Sequence, residues 1–350
     1  MSGKRFLTIG IVFLLVVSLA VGCGQKDTGG EVEGEDTELG KEQVEISVWL
    51  TPQWKGVLDA SEEGADYDSF FKEAAKRFSE EYEEYDVKVN VEVVAGDQRD
   101  ELLNVSLNGG NPPDVFFESI FAMGDYAHRG ALVPLNDIVD EDAKKDIVDN
   151  YWDSVTFGDD IYFYPFSNNP GTLVYNADMF RDAGLEEYIG EETEIVTWSV
   201  EDFEKILNTL KTNTPKDKYP NAYPMGLFAL NNQGDTWNLA YLRMFGNEFF
   251  DDEGNIILDD ENGIKAAKWL KGVYDKGLSN PGAESVSSND VNAMYQNQQL
   301  GVSFTNSILY QNGLADMEEG KAPKFDSRLA NVPCETDEAV SFTYVIGTCV

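Results

Sequence analysis

Two tryptophans stand among short polar residues in a way that suits a ligand made of hydroxyls and apolar faces. Trp54 follows Pro52 and Gln53 in a polar loop, and Trp237 follows Asp235 and Thr236 and precedes Asn238. Flat rings offer stacking surfaces, while amides, hydroxyls and carboxylates offer directional hydrogen bonds. Other chemistries are poorly served. One His, His128, and three Cys are too few for a zinc centre of the Cys/His type. His128 lies beside Arg129 and reads as helix surface. The acidic run from Asp251 has Gly254 at its fourth position, whereas an EF-hand loop needs Gly at the sixth and Glu at the twelfth. It reads instead as a hairpin turn. No nucleophile elbow, phosphate loop, His-Glu-x-x-His or dinucleotide glycine pattern occurs. The sequence therefore points to no catalytic residue, no metal ligand and no cofactor.

Charge narrows the partners. Of 350 residues, 64 are acidic and 26 basic, a formal net charge of −38. Nucleic acid is excluded as a partner, because phosphate binding needs a basic surplus. At the N-terminus Lys4 and Arg5 precede an uncharged apolar run over 6–21, too short for a bilayer-spanning helix, which ends at Gly22 and Cys23. Ala20-Val21-Gly22-Cys23 resembles a lipobox, so residues 1–22 read as a signal peptide and Cys23 as the lipidated first residue of the mature chain. Acyl chains there hold the protein on the outer face of the cell membrane. Cleavage removes Lys4 and Arg5 and no acid, taking the net charge to −40. Residues 23–43 are Gly-rich and acidic and read as an extended tether, with the folded body starting near Val44.

The body must position the polar residues and rings, and its periodicity is that of an α/β chain. Residues 45–49 alternate as a strand. Residues 68–85 place Phe70, Ala74, Phe78 and Tyr82 four apart, an amphipathic helix. Val87, Val89, Val91 and Val93 alternate with polar residues, and Asn111-Pro-Pro113 precedes a short apolar strand at 114–117. Further strands and helices follow at 171–175, at 200–210 behind a Ser199 cap, and at 262–276 ahead of Gly277. Strand and helix alternating in this way predicts a sheet with helical crossovers. Trp49, Trp152, Trp198 and Trp269 fall in strand or helix patterns and read as core.

Asn111-Pro-Pro-Asp-Val-Phe-Phe117, Tyr126-Ala-His-Arg-Gly-Ala-Leu-Val-Pro-Leu135, Ile161-Tyr-Phe-Tyr-Pro165 and Leu173-Val-Tyr-Asn-Ala-Asp-Met-Phe180 together resemble the extracellular solute-binding proteins of ABC sugar importers, in order and in spacing. Val273-Tyr-Asp-Lys-Gly-Leu278 and Ala293-Met-Tyr-Gln-Asn-Gln-Gln-Leu-Gly301 fit the same template, which covers the chain from about Val44 onward. The resemblance implies a two-lobe periplasmic-binding-protein-like α/β fold with hinge segments and an interlobe cleft whose closure reports ligand occupancy. It implies lobe 1 at 44–165 and 304–346 and lobe 2 at 166–303 and 347–350. The family pattern continues for several helices beyond Val350, so it further implies that the C-terminal part of lobe 2 is missing.

The family's contact positions, carried over one at a time, give Gln53 and Trp54 after the first strand and Glu118 and Ser119 at the end of the third. Asn168 and Asn169 fall at the first crossing, Asp235, Thr236 and Trp237 at a helix start facing the cleft, and Thr305, Asn306 and Ser307 after the second crossing. Some relatives carry a Trp soon after that crossing, where this chain has Ile308. The function implied is capture of a mono- or oligosaccharide by a monomeric lipoprotein and its delivery to membrane permease subunits, without chemical change. A quaternary ammonium osmolyte held between Trp54 and Trp237 would use the same residue types, and a lipid-anchored glycoside hydrolase using two carboxylates is the alternative from another class. An exported setting permits a disulfide between Cys334 and Cys349, which the sequence leaves open. A surface so acidic fits an ion-rich exterior.

Overall fold

The structure is a computed structural model that describes residues 41–52, 66–82, 84–94, 98–230, 232–251, 253–335 and 341–350. The signal peptide, the lipidation site Cys23 and the tether as far as residue 40 lie outside the described residues. Residues Gln43–Val350 fold as one unit.

Alternating valines build β2 (Asp86–Val93), which pairs in parallel with β1 (Gln43–Leu50) over its full length, Gln43 opposite Asp86 and Leu50 opposite Val93. Helix α1 (Ser69–Glu81) crosses between them, shorter than the expected 68–85. Helix α2 (Arg99–Gly109) leads to β3 (Val115–Ser119), parallel to β1 through Val48 and Val115. Helices α3 (Ile120–His128), α4 (Glu141–Asp146) and α5 (Asp149–Ser154) follow, then a two-strand hairpin of β4 (Thr156–Phe157) and β5 (Asp160–Ile161). His128 is exposed in the last turn of α3.

The chain then enters β6 (Tyr164–Asn176), a 13-residue strand. After it come α6 (Ala177–Asp182), α7 (Val200–Asn213), β7 (Tyr223–Met225), α8 (Asn232–Arg243), α9 (Glu261–Asp275) and α10 (Ser288–Gln296). The last elements are β8 (Leu300–Asn306), α11 (Ser307–Glu318), β9 (Ser327–Ala330) and β10 (Phe342–Cys349). Ser199 caps α7 by accepting from the backbone N–H of Asp202, and Gly277 takes φ 60° just past α9. The acidic run at 251 is the turn foreseen from its spacing: Phe250 bridges Ile256, and Asp251 Oδ1 accepts from the N–H groups of Glu253 and Asn255.

The strands form one mixed sheet in the order β2-β1-β3-β10-β6-β8-β7, with β9 also on β6. β6 holds it together. Its first half pairs antiparallel with β10, and its second half with β8 and β9. The cores divide along the same strand. One contains Phe116, Met123, Tyr126, Trp152 and Phe163; a larger one contains Tyr175, Phe180, Trp198, Phe203 and Tyr241. Trp49 and Trp269 pack against them, as read from the sequence.

The packing departs from the expected lobe boundaries in two places. Phe304, Met317, Phe325 and Ala330 join the larger core rather than the first, because β8 lies between β6 and β7. Cys349 joins the smaller core, because the end of β10 pairs with β3. Strand patterning fixes which residues alternate inward but not which neighbour a late strand chooses. Cys334 and Cys349 are not joined in a disulfide and pack on different cores. No described helix is long and apolar enough to cross a membrane.

Candidate functional site

Parallel strands place their carboxyl ends on one edge of a sheet, where ligands of α/β proteins collect. At the end of β3, Glu118 turns inward and its side chain is 0% exposed. Its Oε1 accepts from the Ser119 backbone N–H at 2.6 Å and from the Ser119 hydroxyl at 3.1 Å. Its Oε2 stands 2.8 Å from Nε of Arg99, the first residue of α2, as an ion pair lacking hydrogen-bond alignment. Burial pushes the Glu118 carboxyl up to about 7, against the opposing pull of Arg99. Glu118 therefore presents no oxygen to a ligand in this structure. It orders Ser119 and Arg99, which corrects its expected role as a direct contact. The reason is desolvation: a carboxylate against Phe116 and Tyr126 needs a cation partner.

Ser119, Ile346 and Ser167 lie opposite one another on β3, β10 and β6, so the register carries the edge of the first strands directly to the crossing. Between Ser167 and Pro165 the register slips, leaving Phe166 as the bulged residue of β6. Opposite the bulge stands Gly347, where a Cβ would meet the Tyr164 carbonyl oxygen at 2.1 Å. Phe166 is 46% exposed, and its ring lies 5.4 Å from that of Phe117 and 5.9 Å from that of Phe71. Two residues on, Asn168 is exposed and held at both ends: it donates to the Tyr151 hydroxyl at 2.5 Å and accepts from the Thr343 hydroxyl.

Asn169 is buried, and its Oδ1 accepts from the Ser307 hydroxyl at 2.8 Å. Asn306 and Thr305 pair across the strands with Gly171 and Thr172. Asn306 is spent on capping α11, its Oδ1 accepting from the Leu309 N–H, and Thr305 is buried with its hydroxyl on the Asn306 carbonyl. The structure thus gathers Ser119, Asn168, Asn169 and Ser307 along the crossing, while Thr305 and Asn306 serve the backbone.

Trp237 differs most from expectation. It is 3% exposed and enclosed in the larger core, edge-on to Phe228 and Phe304 with centroids 5.5 and 5.6 Å away. Its polar flanks Asp235 and Asn238 both lie within α8 and do not mark an exposed ring. Asp235 and Thr236 lie in the first turn of α8, with their side chains outside the described residues, as are Gln53 and Trp54 altogether. Arg99, Phe166 and Tyr151 were missed by sequence reasoning. Arg99 carried one signal, a cation at the first position of a helix, where the macrodipole disfavours it. Phe166 carried none, since a bulge depends on the register of two distant strands. Among the described residues no group of three or more His, Cys, Asp or Glu could hold a metal ion.

The site lies on a mixed sheet threaded by one long strand, with short polar side chains at the strand ends. A solved ABC-transporter solute-binding protein of Thermotoga lettingae, bound with alpha-D-tagatose, has the same fold at a TM-score of 0.68 and 19% identity, covering 87% of this chain and 72% of that one. Residues 61–347 match the family model described as bacterial extracellular solute-binding protein, and the chain belongs to that family. A Brucella abortus binding protein is 22% identical over 278 residues, 79% of this chain and 62% of that protein. The arabinooligosaccharide-binding protein of Bacillus subtilis is 22% identical over 275 residues, 77% of this chain and 54% of that protein. The chain spans less than two thirds of the length of either relative.

Proposed function

We propose that this protein captures a mono- or oligosaccharide between two lobes joined at β6, and passes it unchanged to the permease of an ABC transporter while anchored to the outer membrane face through Cys23. One observation carries the reading. Ser119, Asn168, Asn169 and Ser307 follow one another along the strand ends and the crossing, beside the half-exposed ring of Phe166. Short hydroxyl and amide groups next to a flat ring match the hydroxyl rim and C–H face of a sugar. The tagatose-bound neighbour and the arabino-oligosaccharide-binding relative support the same class of cargo. A quaternary ammonium cargo needs facing aromatic walls, and Trp237 is enclosed in the core and cannot be one of them. Gln53, Trp54, Asp235 and Thr236 complete the proposed contact set.

The test is a thermal-shift panel of neutral sugars: D-tagatose, L-arabinose, arabinotriose, maltotriose and chitobiose, with betaine and choline as the competing class. A ligand bound only by the folded state raises the melting temperature by mass action. A shift with one of the sugars and none with betaine or choline is expected. A shift with betaine or choline alone would overturn the saccharide reading.

A further inference from the structure

We propose that Arg99 is the ligand-facing hydrogen-bond donor of this sheet edge, held in place by Glu118, and that it selects neutral vicinal diols over sugar acids. The inference rests on the saccharide reading and names the group that would discriminate within that class.

Arg99 begins the 11-residue helix α2, where a cation opposes the helix dipole and gains nothing from the helix itself. It is nevertheless drawn inward to 19% exposure of its side chain. Two carboxylates hold it. Nε stands 2.8 Å from Glu118 Oε2, and Nε and Nη2 donate to Asp100 Oδ1 at 3.1 and 2.9 Å. These contacts occupy one edge of the guanidinium, and Nη1 has no partner among the described residues. A planar donor fork with one edge pinned and another unused, a fifth of it accessible, is built to meet a pair of adjacent acceptors. Ser119, whose N–H and hydroxyl are fixed by the same Glu118, supplies the neighbouring polar group.

Charge decides between the two ligand types that a guanidinium recognises. Arg99, Asp100 and Glu118 together carry one net negative charge when Glu118 is ionised, so an incoming carboxylate meets repulsion and a neutral diol does not. Glu118 acts through Arg99 and is a positioning residue. The charged and titratable groups facing it are Arg99 and Asp100 from α2, Tyr126 from α3 and Cys349 from β10.

The experiment is calorimetric titration of the full chain with the neutral sugars of the panel and with D-galacturonate, from pH 6 to 8, with melting temperatures measured alongside. Wild type is expected to bind a neutral sugar and to bind D-galacturonate more weakly. R99K should weaken the neutral sugar about ten- to a hundredfold, the usual loss of a charge-assisted hydrogen bond. R99A alone leaves a buried carboxylate unpaired, so R99A/E118Q is the variant to compare. It should fold and show the same loss. Wild-type affinity should fall as the pH drops from 8 to 6, and that dependence should be absent in E118Q. A merely structural role for Glu118 would move the melting temperature but not the pH profile of binding. Unchanged affinity in R99K and R99A/E118Q would overturn the assignment of Arg99, as would tighter binding of D-galacturonate than of the neutral sugar. Wild type that binds no sugar at all would instead overturn the saccharide reading, and this inference with it.

Discussion

Ser307 donates its hydroxyl proton to the side-chain oxygen of Asn169 across 2.8 Å, joining the first residue of α11 to the middle of the crossing strand β6. The two residues are 138 positions apart in the chain. This bond links the two chain segments that the proposed hinge brings together, and Asn169 is buried, so its loss is felt. Ser307→Ala should lower stability by about 1 kcal/mol, the net value of a hydrogen bond whose remaining acceptor is poorly hydrated. Urea unfolding of the variant beside wild type measures it, and an unchanged midpoint would show the bond to be idle.

Trp237 should behave as a core ring. Its contacts with Phe228 and Phe304 leave it 3% exposed, so Trp237→Ala opens a cavity in the larger core and should cost about 3–5 kcal/mol. Sugar affinity of the folded fraction should stay within a few-fold of wild type. A large loss of affinity at unchanged melting temperature would return Trp237 to the pocket.

Glu118 gives stability a pH dependence opposite in sign to that of an ordinary paired carboxylate. Its folded value near 7 lies above the usual 4.5, so the folded state holds the proton more tightly than the unfolded chain does. The cost of the buried charge is fully present above about pH 7, shrinks as the pH falls towards 4.5, and disappears below that. Its size is roughly 3 kcal/mol, since each tenfold gain in proton affinity is worth about 1.4 kcal/mol. Measured against Glu118→Gln, wild type should therefore gain stability between pH 8 and pH 5. A difference between the two that stays constant across this range would contradict the burial argument.

Salt should stabilise the whole molecule. A formal charge of −38 makes the folded state repel itself, and added NaCl screens that repulsion over shorter distances. The melting temperature should rise by a few degrees between low salt and 1 M NaCl. A flat or falling series would mean that the acids are already compensated locally.

Much of the first half was legible from local pattern. The valine alternation over β2 and the Pro break before β3 each act within a few residues, and the structure keeps both, whereas α1 forms with its Phe70, Phe78 and Tyr82 face exposed. What failed to show in the sequence depends on partners far along the chain. Trp237 is enclosed because Phe304, 67 positions later, packs on its ring. Glu118 is withdrawn from solvent with Arg99 of α2 beside it as the cation partner. Phe166 is turned out by a register slip against β10, which no window around residue 166 contains. Polar residue types at the crossing were readable, whereas which of them hold the backbone was set by tertiary hydrogen bonds, as at Asn306.

Native mass spectrometry of the full chain incubated with the neutral sugar panel tests the central claim most directly, because one spectrum reports both binding and the mass of what is bound. The account predicts one adduct per chain at the mass of an intact sugar, still intact when released after prolonged incubation. Absence of any sugar adduct, or release of a hydrolysed or otherwise altered product, would contradict it.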